Sequence, residues 1–335
     1  MFSGILGHGT VIEGLRRVQD SGRVAHAWLF AGPDGVGKSK VAVAFAQRLN
    51  CKDRTPTADA CGECRPCRQI AAGTHPDWTM VEPDGQFIKI ERVREVTRSL
   101  RYAPIDGNFR VLLMHEADRL HEAAANALLK TLEEPAAGNV FILLTSKPGS
   151  VMATIRSRCQ MVRFSSLSRE DVAGYLMREK GLDAITADEV AGLADGSLSG
   201  ADTLTSATAM QLREEWTRQL SAIPKLSPMG LLKLAESMTP RKSEGGTSTE
   251  REALRAILDI FRISLRDAML RAAGMPPERL VMRHRAPHLP TTDPERLRDA
   301  LALVQDAEIA TARNVAPKLV AEHVLLGLRT LFLAA

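Results

Sequence analysis

Residues 27–31, Ala-Trp-Leu-Phe-Ala, run directly into residues 32–39, Gly-Pro-Asp-Gly-Val-Gly-Lys-Ser. The first segment is a short apolar run, which is typical of a buried β-strand. The second fits the pattern G-x-x-x-x-G-K-[ST], in which backbone N–H groups wrap a polyphosphate at the positive end of a helix. Apolar residues then recur at helical spacing, at Val41, Ala42, Phe45, Ala46 and Leu49. This strand–loop–helix order predicts an α/β fold built around a phosphate-binding loop.

The loop also predicts which groups would contact a nucleotide. Lys38 would reach the outer phosphates, and the Ser39 hydroxyl would help to hold Mg²⁺. ATP and Mg²⁺ are therefore candidate cofactors. A glycine turn followed by a chance Lys-Ser pair is the alternative, and it leaves the flanking strand and helix unexplained. The candidate nucleotide-binding residues of the loop are Gly32, Gly35, Val36, Gly37, Lys38 and Ser39.

The composition limits the class of protein. A chain of 335 residues suits two or three domains, and 25% charged with 44% hydrophobic residues is ordinary for a soluble protein. The net charge of +4 permits contact with nucleic acid without favouring it over a mixed-charge surface. We see neither an export signal nor an apolar run of membrane-spanning length. We therefore expect a cytoplasmic protein with reduced thiols and no membrane partner.

Four of the five cysteines fall close together after the loop helix, in the pattern C-x9-C-x2-C-x2-C. Four thiolates at this spacing suit tetrahedral Zn²⁺, and a small insertion without a core, about residues 51–75, needs such a staple. A pair of disulfides and a redox C-x-x-C are the alternatives. Cys159 lies apart and is interpreted as a packed thiol. The predicted zinc ligands are Cys51, Cys61, Cys64 and Cys67.

A fully apolar strand, residues 111–114, is followed by His115-Glu116. A P-loop ATPase needs an acidic pair at this position, one carboxylate for Mg²⁺ and one to activate water. Glu116 could still orient water, but an imidazole is a poor ligand for a hard, oxygen-seeking cation. In the alternative interpretation His115 only ends the strand and Asp118 caps a helix. In either case we expect little ATP hydrolysis by this chain.

Another buried strand, residues 140–144, ends in Thr145 and Ser146. Parallel α/β sheets place their ligands at the carboxyl ends of the strands, so these two residues join the candidate nucleotide site. The alternation of strands and helices predicts that residues 1–166 form a mostly parallel sheet with helices on both faces.

Two further motifs follow the phosphate-binding loop and the cysteine insertion along the chain, and the four together form a recognisable set. Residues 124–135 are Ala-Ala-Asn-Ala-Leu-Leu-Lys-Thr-Leu-Glu-Glu-Pro, and residues 157–159 are Ser-Arg-Cys. The set resembles the clamp-loader branch of the AAA+ ATPases, that of the bacterial DNA polymerase III loader. The resemblance implies that Arg158 projects into a neighbouring subunit's ATP site. It also implies that Thr145 or Ser146 senses the γ-phosphate.

The resemblance extends more loosely to the remaining chain. Residues 167–208 are similar to the family's small helical lid domain, with Ser199 where motor subunits carry an arginine that touches nucleotide. Residues 209–335 are predicted to be all-α and resemble the collar domain through which loader subunits form a ring. His115 and Ser199 thus both depart from the pattern of a working motor.

The function that the resemblance implies is participation in clamp loading. The expected partners are the gamma/tau and delta subunits of a hetero-oligomeric ring and, through the complex, a sliding clamp and primer-template DNA. Arg158 would act in trans on ATP in a neighbour. One alternative is a gamma/tau motor ATPase, which the intact Gly37-Lys38-Ser39 favours. Another is an unrelated zinc-bearing P-loop nucleic-acid protein, which lacks support from a basic stripe or an aromatic platform.

Overall fold

The first part of the chain alternates strands and helices. In chain order the elements are α1 Gly9–Asp20, β1 Ala27–Ala31, α2 Lys38–Asn50, α3 Arg65–Ala71, β2 Trp78–Val81, α4 Ile90–Ser99, β3 Arg110–Met114, α5 Glu122–Glu133, β4 Asn139–Thr145, α6 Ala153–Arg156 and β5 Gln160–Arg163. The strands form one five-stranded sheet in the order β2-β3-β4-β1-β5, and every neighbouring pair is parallel. The carboxyl ends of all five strands therefore lie along the same edge.

The remaining elements are helical. They are α7 Arg169–Lys180, α8 Ala184–Ala194, α9 Leu198–Leu204, α10 Ala207–Ala222, α11 Pro228–Met238, α12 Glu250–Ala272, α13 Pro294–Ala312 and α14 Pro317–Leu333. The chain divides into two compact units. The first comprises Met1–Tyr175 and Asp195–Gly200, and the second Leu176–Ala194 and Ala201–Ala335. Helices α7 and α9 each contribute residues to both units.

This computed structural model describes residues 1–53, 59–240, 250–283, 293–313 and 315–333. Residues 54–58 of the predicted zinc insertion lie outside the described residues, as do 241–249, 284–292, 314 and 334–335 of the predicted collar. Within the described part of the chain, no helix combines the length and the apolar character needed to cross a membrane.

Side chains of the central strands alternate between two hydrophobic cores, one on each face of the sheet. In β1, Trp28 and Phe30 pack with helices α1 and α2, while Leu29 packs with α4 and α5. Strands β3 and β4 alternate in the same way. Since parallel strands need crossover connections, helices cover both faces, and the central strands β1, β3 and β4 are buried on both sides. The predicted parallel α/β fold of the first part is confirmed.

A buried ion pair fixes the turn that leads into β3. The Asp77 carboxylate accepts hydrogen bonds from the backbone N–H groups of Ile105, Asp106 and Gly107 at 2.8–2.9 Å and from the Arg110 Nε at 3.0 Å. Burial by itself would raise the pKa of Asp77, but these donors hold its pKa below the usual value of 3.8. The carboxylate thus stays charged and secures the entry to β3, the strand that precedes His115.

Helices α10 to α14 of the second unit pack around a shared hydrophobic core. The buried residues come from α10 to α14 and include Trp216, Leu258, Phe261, Val304 and Leu325. Helix α12 supplies Leu254, Ile257, Leu258, Phe261 and Leu265, the apolar face visible in the sequence. Within the same unit, the Arg283 guanidinium donates to both carboxylate oxygens of Asp188, one bond being 2.6 Å long. The all-α character predicted for this region is observed in its described residues.

Candidate functional site

The phosphate-binding loop lies between the end of β1 and the start of α2, at the carboxyl edge of the sheet. Gly35 and Gly37 have φ of +75° and +102°, a region that residues with a Cβ rarely adopt. Gly37 precedes the first residue of α2, so the loop ends where the helix N–H groups are free of intrahelical partners. The loop conformation therefore favours glycine at positions 35 and 37.

Lys38 points back into the loop. Its Nζ donates to the carbonyl oxygens of Gly32 and Pro33, at 2.6 Å in each case. The side chain is buried, and burial lowers its pKa although Asp34, 3.7 Å from Nζ, opposes the shift. The ammonium thus lies inside the predicted cradle, where phosphate oxygens could replace the two carbonyls as partners.

The predicted magnesium position brings a hydroxyl and an imidazole together. Ser39 Oγ lies 3.5 Å from His115 Nε2. Burial lowers the pKa of His115, although Glu82 and Glu116 oppose the shift. The hydroxyl suits Mg²⁺, whereas a neutral imidazole nitrogen is a soft ligand for that ion. The residues present therefore fit a nucleotide better than they fit its usual metal.

Two acidic side chains near the predicted magnesium position, Glu116 and Asp118, contact protein groups. The Glu116 carboxylate is 2.8 Å from Arg119 Nε, an ion pair within one short turn, and Glu116 itself has φ of +47°. Asp118 accepts a hydrogen bond from the Thr145 hydroxyl at 2.5 Å, and its charge opposes the lowering of the Lys38 pKa by burial. The interpretation of Asp118 as a helix cap is wrong, because the N-cap of α5 is His121. Asp118 is instead a carboxylate of the site that the sequence pattern did not single out.

Thr145 and Ser146 have different positions. Thr145 is buried, and besides donating to Asp118 its hydroxyl accepts from the Lys147 N–H at 2.9 Å. Ser146 lines a cavity beside the first residues of the loop. Either residue could contact a terminal phosphate through a shift of its hydroxyl, but Thr145 would first have to release Asp118.

The loop is also contacted from a turn that precedes α9. The N–H groups of Leu198 and Ser199 donate to the Gly35 carbonyl oxygen, at 2.9 and 3.4 Å. A Cβ on Gly35 would lie 2.1 Å from both Ser197 Oγ and Ser199 Oγ. Ser199 thus meets the loop, as its position in the sequence suggested, with a short hydroxyl in place of a cation.

Arg158 follows the short helix α6. Its Nη2 donates to Glu133 Oε1 at 2.6 Å, and its Nη1 donates to the Thr154 carbonyl oxygen at 2.8 Å. The side chain is 35% exposed, so it is accessible from outside the chain. Arg156, two residues earlier, lines the cavity beside the loop instead.

The four clustered cysteines converge. The Sγ atoms of Cys51, Cys61, Cys64 and Cys67 all lie within 4.8 Å of one another. Tetrahedral Zn–S bonds of about 2.3 Å imply sulfur separations of about 3.8 Å, so the four thiols fit one metal ion. The separation between the sulfurs of Cys64 and Cys51 is 4.0 Å. These residues could hold a metal.

Backbone N–H groups support the cluster. The Cys61 N–H points to Cys51 Sγ at 3.4 Å, and the Cys64 N–H to Cys61 Sγ at 3.2 Å. Burial would raise the pKa of Cys64, but backbone donors at Lys52 and Cys67 lower it to about 7. Burial raises the pKa of Cys51 and Cys67. A cation would offset that burial, since thiolates are the metal-binding form.

Part of the chain matches a known protein family. A family model described as DNA polymerase III, delta subunit, matches residues 7–168. This segment is similar to that family. The match covers the phosphate-binding loop, the cysteine cluster and Arg158, so the predicted resemblance to DNA polymerase III subunits is confirmed.

The similar proteins include both delta' and tau subunits of DNA polymerase III. The chain is 41% identical over 137 residues to DNA polymerase III subunit delta' of Pseudomonas aeruginosa. The aligned residues are 40% of this chain and 42% of that protein. It is 34% identical over 250 residues to DNA polymerase III subunit tau of Escherichia coli, covering 72% of this chain and 39% of that protein. The chain therefore spans less than half the length of these relatives.

Among solved structures, the chain is similar to a DNA polymerase III gamma subunit-related protein of Thermotoga maritima. The TM-score is 0.47 at 19% sequence identity, over 96% of this chain and 99% of the other. A likeness of this size is too weak to support a conclusion about activity.

Proposed function

We propose that the chain is a delta-prime subunit of a bacterial DNA polymerase III clamp loader. It assembles with gamma/tau and delta subunits in the cytoplasm, and the ring places a sliding clamp on primer-template DNA. Its parts are an AAA+ domain, residues 1–166, a lid domain, residues 167–208, and a collar domain, residues 209–335. The family match over residues 7–168 and the delta' relative support this proposal.

The contact between Ser39 and His115 is the main reason to propose a subunit that is not a motor. The imidazole lies 3.5 Å from the hydroxyl that would ligate Mg²⁺, where an ATPase uses a carboxylate. The lid side of the loop offers Ser197 and Ser199 rather than a cation. With fewer groups to neutralise the γ-phosphate, ATP bound through Lys38 turns over slowly or not at all. Glu116 would orient water in any residual hydrolysis.

In this proposal the contribution of the chain to catalysis is Arg158. Phosphoryl transfer builds negative charge on the γ-phosphate oxygens, and a fixed guanidinium stabilises that charge without exchanging a proton. Arg158 is accessible at the end of α6, whereas Lys38 is buried within the chain's own loop. Arg158 therefore serves the ATP of a neighbouring subunit. Thr145 or Ser146 would contact the γ-phosphate of any nucleotide bound in cis.

The cysteine cluster in this proposal holds structural Zn²⁺. Cys51, Cys61, Cys64 and Cys67 would fill all four coordination positions, so no open position would remain for catalysis. The ion stabilises the segment around residues 51–75, in which the buried apolar surface is small.

A gamma/tau motor subunit is the second candidate. The tau relative of E. coli aligns with 72% of this chain, against 40% for the delta' relative, and the loop sequence is intact. The two candidates differ in their own turnover, so the test is ATP hydrolysis by the isolated full chain, with Lys38→Ala as the control. Turnover at background level in both proteins supports the delta-prime assignment. Turnover that is robust in the wild type and lost in Lys38→Ala supports the motor.

A further inference from the structure

A cavity of about 540 Å³ lies at the carboxyl edge of strands β4, β1 and β5. One wall is the start of the phosphate-binding loop, Gly32 and Pro33. The loop after β4 contributes Ser146 and Pro148, and the lining also includes Arg156 and Arg163. Neither arginine belongs to a motif that the sequence analysis assigned to nucleotide binding.

The charge of this cavity is unbalanced. Two guanidinium groups line it, and none of its lining residues is acidic. The Arg156 Nη1 donates to the Pro148 carbonyl oxygen at 3.0 Å, a contact that leaves its positive charge uncompensated. In the described part of the chain neither Arg156 nor Arg163 forms an ion pair, whereas nearby Arg158 pairs with Glu133. Two arginines that line one cavity without an acidic partner favour an anionic ligand.

The cavity and the cradle around Lys38 share a wall. Gly32 and Pro33 line the cavity, and their carbonyl oxygens accept from Lys38 Nζ at 2.6 Å. An anion in the cavity would therefore lie next to the loop without needing Lys38. The Ser146 hydroxyl, also in the lining, could donate a further hydrogen bond.

We propose that this cavity binds a phosphate group through Arg156 and Arg163. Guanidinium forks match phosphate oxygens two at a time, and the cavity adjoins a phosphate-binding loop. The group is either the terminal phosphate of a nucleotide on the loop or a separate phosphate ion. The first form rests on the proposed nucleotide binding at Lys38, and the second does not. In either form the two arginines supply cations that the lid-side serines do not.

The test is isothermal titration calorimetry of the full chain with ATP, ADP and inorganic phosphate in Mg²⁺-free buffer. The variants are the double substitution Arg156→Gln with Arg163→Gln, and Lys38→Ala. Arg17→Gln is a matched control, because Arg17 is an exposed arginine of the same unit outside the cavity. Circular dichroism melts verify that each variant is folded.

A terminal-phosphate site predicts that the double variant loses about tenfold or more in ATP affinity and far less in ADP affinity. A separate phosphate site predicts the same loss for inorganic phosphate, with phosphate binding retained in Lys38→Ala. The proposal is overturned if the double variant binds all three ligands like the wild type, or if the wild type binds none. If Lys38→Ala leaves ATP affinity unchanged, the nucleotide function proposed for the loop fails, while the phosphate titration of the double variant still decides the cavity.

Discussion

Arg158 and Glu133 form an ion pair, with the arginine Nη2 2.6 Å from the glutamate Oε1. One residue belongs to the Ser-Arg-Cys triplet and the other to the Leu-Glu-Glu-Pro run, so two motifs that are 25 residues apart meet in the fold. Because Glu133 is 47% exposed and Arg158 35% exposed, the pair is worth under about 1 kcal/mol. Glu133 can therefore orient the guanidinium and still release it to a stronger anion.

The first prediction concerns Arg158 in an assembled loader. Arg158→Ala should leave ring assembly and metal content intact but slow hydrolysis at the one neighbouring site by roughly 10³–10⁵-fold. Total ATPase then falls by the share of that site, and clamp loading slows. Arg158→Lys should rescue little, because an ammonium lacks the planar fork. Steady-state ATPase and clamp-loading assays measure both effects.

Glu133→Gln is the companion variant, since it removes the cis partner and keeps the arginine. It should retain ATPase within a few-fold of the wild type. The assignment of Arg158 is wrong if the Arg158→Ala loader hydrolyses ATP and loads clamps like the wild type.

A second prediction concerns the magnesium position. His115→Asp places a hard carboxylate beside the Ser39 hydroxyl, so adding Mg²⁺ should increase ATP affinity about tenfold more than it does in the wild type. Calorimetric titrations with ATP, with and without Mg²⁺, give this difference, and some hydrolysis should return. His115→Asn is the control, because it removes the imidazole without adding charge. Equal Mg²⁺ dependence in all three proteins would contradict the role given to His115.

The third prediction concerns the cysteine cluster. The purified protein should contain about one zinc per chain, as one filled four-cysteine site requires. Cys64→Ser should release the metal and make residues 51–75 sensitive to protease, while the sheet survives. Metal analysis and limited proteolysis measure these outcomes. Cys159→Ser is the matched control, because that thiol lies outside the cluster and burial raises its pKa to about 12. A metal-free wild-type protein with the same proteolysis pattern would exclude the zinc site.

The fourth prediction separates packing from backbone strain in the loop. Gly35→Ala should lower the free energy of unfolding by about 2–4 kcal/mol, because its φ is positive and its Cβ would meet Ser197 and Ser199. Gly37→Ala carries only the strain, about 1–2 kcal/mol, since nothing lies within 4 Å of its Cβ. Denaturant titrations of both variants measure the difference. Equal losses would show that the contact with the serines contributes nothing.

The fifth prediction is a pH dependence from Asp77. Burial opposes its charge, yet the backbone donors and Arg110 keep its pKa below 3.8 in the folded protein. A lowered folded pKa gives stability that is present above the unfolded pKa and is lost as the pH falls through the folded pKa.

Asp77→Asn should therefore lower the free energy of unfolding by about 3 kcal/mol at neutral pH. Its difference from the wild type should shrink as the pH falls below 3.8, in denaturant titrations across that range. A difference independent of pH would contradict this assignment.

The sequence by itself determined the local elements and the parallel sheet. The apolar run of β1 has buried neighbours on both faces, and this is why it reads as continuous rather than alternating. Gly35, Gly37 and Lys38 follow it at fixed spacing, so the loop could be predicted without coordinates. The short spacing of the cysteines likewise predicted a cluster, because segments so close in sequence have few ways to separate.

Only the tertiary structure decided which side chains from distant segments meet. Thr145 and Asp118 are 27 residues apart, and their contact depends on parallel strands ending at one edge. Arg156 and Arg163 line a cavity with Gly32, more than a hundred residues earlier, because β5 pairs with β1. Hydrophobic periodicity specifies which face of an element is buried, but it does not specify which strands become neighbours. The partners of polar residues at the sheet edge follow from that strand order, so they appear only once the sheet is assembled.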